Sequence, residues 1–79
     1  MYTNLKTTPV SNELIRLTGP CIVTGKDFSV VVSREAAVNY FHLGIKVQNA
    51  FPKVPIEQRE FLTSGVSPEG WTRTFGGPR

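Results

Sequence analysis

The chain has 79 residues and a formal net charge of +3. That length allows one domain near the lower limit of unaided folding, and 39% hydrophobic with 19% charged residues does not suit a disordered chain. A core this small supplies only about 3–5 kcal/mol, which leaves a partner or oligomerisation open.

The single cysteine forms no internal disulfide, so nothing demands an oxidising compartment. The longest apolar runs, Cys21–Val23 and Val30–Val32, fall far short of the ~20 residues that span a bilayer. The amino terminus lacks a basic-then-apolar signal pattern. The expectation is a soluble cytoplasmic protein with no membrane partner.

In chain order, residues 1–12 are polar and read as a flexible arm or an edge strand, ahead of a globular domain over 13–76. Leu14, Ile15 and Leu17 favour a strand, which Gly19-Pro20 breaks. Cys21-Ile22-Val23 and Phe28–Val32 then flank the turn Thr24-Gly25-Lys26-Asp27, as in a hairpin. Phe28, Val30 and Val32 share one face, since strand side chains alternate.

Ser33 caps a first helix, with Ala37, Tyr40 and Phe41 at helical spacing and Ala36, Val38 and Leu43 completing its apolar side. Gly44 ends it or marks its turn. Ile45, Val47 and Ala50 carry an apolar pattern to Phe51, where Pro52 halts it. Pro55 suits a first helical position, Glu57 and Glu60 suit the positive end of the helix dipole, and Gly65 closes that helix. Ser67-Pro68-Glu69 starts a last helix. Phe51, Phe61, Leu62, Trp71 and Phe75 are the expected anchors, with Trp71, Thr74 and Phe75 as the buried edge of the last helix. Residues 77–79 read as a tail. The fold class is α+β: a small single domain with an amino-terminal β-hairpin or three-stranded sheet, followed by three short packed helices.

Candidate chemistry is sparse. Cys21 reads as a small buried hydrophobe ahead of a nucleophile, which would need His42 as its base. His42 reads as a helix histidine ahead of a pH switch. Glu57 and Glu60 are accounted for by the helix dipole ahead of acid–base work. Thr24-Gly25-Lys26 lacks the upstream glycine of a phosphate loop. Tyr2, Tyr40, Phe51 and Trp71 fill the core ahead of stacking on bases. No catalytic residue and no cofactor is expected.

Cys21-Ile22-Val23-Thr24-Gly25 has the shape of a zinc knuckle, Cys-x-x-Cys-Gly, with threonine for its second cysteine. Ser67-Pro68-Glu69-Gly70-Trp71 has the shape of a second knuckle, Cys-Pro-x-Cys-Trp, with both cysteines replaced. One thiol of a four-ligand set remains, so no metal is expected. Packing would join the two segments instead, bringing the hairpin turn against the start of the last helix.

With Phe-x-Val-x-Val, Val47-Gln48-Asn49-Ala50-Phe51-Pro52, Arg59-Glu60-Phe61-Leu62-Thr63-Ser64-Gly65, Pro68 and Trp71 to Phe75, this order resembles a group of small orphan proteins of bacteriophage and plasmid genomes. Some of them carry intact zinc-ribbon cysteines. The resemblance spans Cys21 to Phe75 and marks this chain as a degenerate zinc-ribbon type. It implies a phage context in the host cytoplasm, and no activity.

The functional expectation is a non-enzymatic phage-type interaction protein that binds and modulates a host or viral protein, as a regulator or inhibitor. The second reading is a small basic nucleic-acid-binding regulator using Arg16, Lys26, Arg34, Lys46, Lys53 and Arg73. The nine basic residues are scattered along the chain, whereas nucleic-acid binders gather theirs on one face.

Overall fold

The computed structural model describes residues 1–76. The expected tail, 77–79, lies outside the described residues. Three strands come first: β1 (Lys6–Pro9), β2 (Leu14–Pro20) and β3 (Asp27–Ser33). Four helical segments follow: α1 (Arg34–Phe41), α2 (Val47–Ala50), α3 (Ile56–Ser64) and α4 (Pro68–Phe75). The architecture is α+β, an antiparallel sheet of order β1-β2-β3 followed by helices. α2 is a short segment beyond the three helices expected, set off from α1 by Gly44 at φ 72°.

The β2–β3 register sets Ile15 opposite Val32, Leu17 opposite Val30 and Gly19 opposite Phe28. The Arg34 N–H donates to the Glu13 carbonyl at 2.8 Å and the Cys21 N–H to the Lys26 carbonyl at 2.9 Å. These two bonds extend the ladder at either end. They identify the pairs named above as those that exchange backbone hydrogen bonds, because such pairs alternate in an antiparallel ladder. Ile15, Leu17, Val30 and Val32 are buried on the core face, while Leu14, Arg16, Ser29 and Val31 are exposed on the other.

β2 differs from expectation at its end. It runs through Gly19 and Pro20, and Cys21-Ile22-Val23 forms the turn instead of a strand. Pro20 costs no ladder bond because its nitrogen points toward the β1 side, beyond the end of β1. Gly19 is required by close approach, since a Cβ there would run into the Asn4 carbonyl oxygen.

Phe61 and Leu62 are fully buried and centre the core with Phe51, Tyr40, Ala37 and Ala50. Phe61 receives edge-to-face contacts from Phe28 at 5.0 Å and Tyr2 at 5.6 Å. The Ser33 hydroxyl caps α1 by accepting from the Ala36 N–H, and the Ser67 hydroxyl caps α4 by accepting from the Gly70 N–H.

The last helix corrects the expected core. Phe75 is 64% exposed, Thr74 is exposed and Trp71 is only half-buried. α4 is held at its amino-terminal end, where Ser67 and Gly70 are buried. Phe75 lies one turn beyond Trp71, and the two rings pack on each other at 4.2 Å.

Candidate functional site

Two regions of the fold gather chemistry. The first surrounds Cys21, which is 1% exposed. Its sulfur accepts from the Val23 N–H at 3.4 Å and from the Ser67 N–H at 3.3 Å. A Cβ on Gly70 would lie 2.7 Å from that sulfur and 3.3 Å from the Val23 Cβ. The first turn of α4 therefore rests directly on the β2–β3 turn. Lys26 and Glu69 add an ion pair at 3.4 Å across the same junction. The two knuckle-like segments meet by packing, around one thiol. Among the described residues no group of three or more His, Cys, Asp or Glu side chains lies together.

Burial pushes the Cys21 thiol up, but hydrogen bonds from Ser67 and Thr24 outweigh it and bring the pKa down to about 6. The thiol is thus polarised as an acceptor inside a closed junction. Its contacts with Ser67 and Gly70 join the start of α4 to the turn after β2.

The second region is an open groove of about 420 Å³ along α1. Its floor is Ile15 and Leu17 of the sheet, and one wall is Ala37, Val38 and Phe41. The other wall is Met1, Tyr2, Thr3 and Leu5. That segment is fixed by Tyr2, whose N–H donates to the Leu62 carbonyl at 3.0 Å and whose hydroxyl donates to the Pro20 carbonyl. Its ring lies against Gly65, whose Cβ would come within 2.8 Å of it. Gly65 has φ 81°, so a side chain there meets both backbone strain and the ring.

Arg34, the first residue of α1, and His42, its C-cap, both line this groove. They are eight residues apart, about 12 Å along the axis at helical rise. The Arg34 guanidinium donates to the Asn12 carbonyl at 3.3 Å and the Ser11 carbonyl at 3.5 Å. Both contacts are long and exposed; Glu13 and Glu35 line a neighbouring cavity with Arg34, but no carboxylate among the described residues forms an ion pair with it.

The residues considered for nucleic acid fall on separate elements. Arg16 stands on the open sheet face, opposite Val31 and Thr8. Arg34 starts α1, Lys46 precedes α2 as its N-cap, and Lys53 lies between α2 and α3. Lys26 and Arg73 are brought together by Glu69, at 3.4 and 3.1 Å, which offsets part of their charge.

Sequence reasoning missed the groove. Val38 and Phe41 were visible as an apolar side of α1, but nothing local shows that Met1–Leu5 returns beside them. Tyr2, an isolated aromatic residue near the terminus, is the one signal that the arm is anchored. Comparison with protein-family models, with curated proteins and with solved structures finds no match to this chain. No helix among the described residues is long and apolar enough to cross a membrane.

Proposed function

We propose that this is a small non-enzymatic interaction protein of phage type, which binds and modulates a host or viral protein by occupying its surface. The groove along α1 carries this reading. It combines an apolar floor and wall with a guanidinium at the start of α1, in no ion pair among the described residues, and an imidazole at the helix C-cap.

Such a groove suits a protein segment with an apolar or aromatic anchor and acidic residues on both flanks. The anchor loses water against Val38, Phe41 and the sheet, which supplies affinity. A flanking carboxylate gains a charge-assisted hydrogen bond from Arg34, which fixes orientation. A cytoplasmic setting is part of the same proposal.

The test is anisotropy with a labelled peptide bearing a Leu-Phe centre and aspartates at both ends. Arg34→Gln is expected to weaken binding about tenfold, the worth of one charge-assisted bond of about 1.4 kcal/mol. Equal binding by wild type and variant would count against the groove as the docking surface.

The nucleic-acid reading has less behind it. Arg16 on the open sheet face is available to a phosphate, but Lys26 and Arg73 already share Glu69.

A further inference from the structure

The two edges of the sheet are unlike. On β1, the residues whose backbone points away from β2 include Thr7 and Pro9, since Val10 and Leu14 form a bonded pair that fixes the alternation. Proline has no N–H, so Pro9 blunts that edge at an outward-pointing position. Lys6 adds a charge to the same strand.

β3 has no such protection. By the ladder alternation its outward backbone groups belong to Asp27, Ser29, Val31 and Ser33, and all these residues are exposed. Apart from the Ser33 carbonyl, which an N-cap residue gives to its own helix, these groups have no backbone partner among the described residues. The strand is seven residues long, its register is unbroken by a bulge, and it contains no proline or lysine. An apolar cleft of about 330 Å³ flanks its carboxy-terminal half, lined by Val31, Ala36, Pro52 and Val54 together with Lys53.

The geometry points to a second copy of this chain as the occupant of that edge: β3 pairs antiparallel with the partner's β3 about a two-fold axis at Val30, joining two sheets into one of six strands. The inference stands apart from the groove along α1.

Self-complementarity selects this partner and this register. Both core faces stay on one side of a joined sheet only if outward residues pair with outward residues. With Val30 at the axis, Ser29 faces the partner's Val31 and Asp27 faces the partner's Ser33. Every outward residue is then matched, giving about six new backbone hydrogen bonds. Core-side Phe28 faces the partner's Val32. Shifting the pairing one step toward α1 carries Asp27 past Ser33, where the partner's strand ends and its helix begins, and leaves Asp27 unmatched. Shifting it the other way leaves Ser33 unmatched. In the chosen register the partner's Asp27 also arrives beside Lys53, which lines the cleft next to Ser33. The like charges Lys26 and Arg34, which lie just outside the paired strands, come near each other across the axis, and Glu69 offsets part of the Lys26 charge.

The test is sedimentation equilibrium of the full chain with two double variants, Ser29→Lys/Val31→Lys and Ser29→Glu/Val31→Glu. Both positions are exposed on the solvent face, and circular dichroism checks that each variant is folded. Wild type is expected at twice the chain mass of 8.8 kDa. Each variant alone is expected as a monomer, because its introduced charges face like charges across the axis. An equimolar mixture is expected to return to the doubled mass, because the charges then alternate in sign. A wild-type monomer throughout the concentration series would leave the edge for a strand of another protein and would overturn the self-pairing. A dimer retained by both variants alone would overturn it as well.

Discussion

The Cys21 sulfur accepts the Ser67 backbone N–H at 3.3 Å, across 46 residues of chain. That contact ties the turn after β2 to the cap of α4, and it favours the ionised thiol. The folded pKa of about 6 lies below the ordinary 9.0, so this group's contribution to stability is complete above pH 9 and is lost as pH falls toward 6. The difference in unfolding free energy between wild type and Cys21→Ala should therefore widen between pH 6 and pH 9, by at most about 1.4 kcal/mol per pH unit. Urea titrations at matched pH measure it. A difference that stays flat over this range would mean the thiol is neutral in the fold.

Gly70 stands on that sulfur. Gly70→Ala would place a methyl group 2.7 Å from it and should cost about 1–3 kcal/mol by overpacking. Combined with Cys21→Gly, which clears the sulfur away, the added cost of the alanine should shrink. Thermal unfolding of both single variants and the double variant reads this coupling. Additive costs would show that α4 can lift away from the turn freely.

Phe61 and Trp71 separate core from rim. Phe61→Ala removes a fully buried ring that touches Phe28 and Tyr2, and should cost about 3–5 kcal/mol, leaving a chain of this size largely unfolded. Trp71→Ala removes a half-buried ring whose neighbour Phe75 is exposed, and should cost clearly less. Chemical denaturation of the pair decides the ranking. The reverse order would place Trp71 at the centre of the core.

The nucleic-acid reading predicts binding that weakens steeply with salt, as phosphate contacts release counterions. With Lys26 and Arg73 shared by Glu69, duplex DNA or RNA should bind no more tightly than about 10⁻⁴–10⁻⁶ M at physiological salt. Anisotropy over a salt series measures this. Submicromolar binding, lost on changing Arg34, Lys46 and Arg73 together to alanine, would raise nucleic acid from the second reading to the first.

The parts of the fold legible in the sequence were those set by local rules. The alternation of Phe28, Val30 and Val32, the caps Ser33 and Ser67, and Gly65 at positive φ all act within a few residues. The parts that were not depend on distant partners. Pro20 is tolerated in β2 only because β1 ends short of it, and Gly19 faces Asn4 for reasons no local pattern holds. Phe75 reads as an anchor until Phe51, Phe61 and Leu62 are seen to fill the core without it. The open edge of β3 was illegible for the same reason, since strand order decides which strand is last.

The central claim, that a protein partner is held along α1, is tested most directly by affinity capture from bacterial lysate with wild type and Val38→Glu side by side. Val38 is 43% exposed and lies on the groove wall, so the variant should keep its fold and circular dichroism checks it. The expected result is a partner retained by wild type at high salt and lost by Val38→Glu, while Ile22→Glu, an exposed change outside the groove, retains it. A partner held equally by wild type and Val38→Glu would contradict the account.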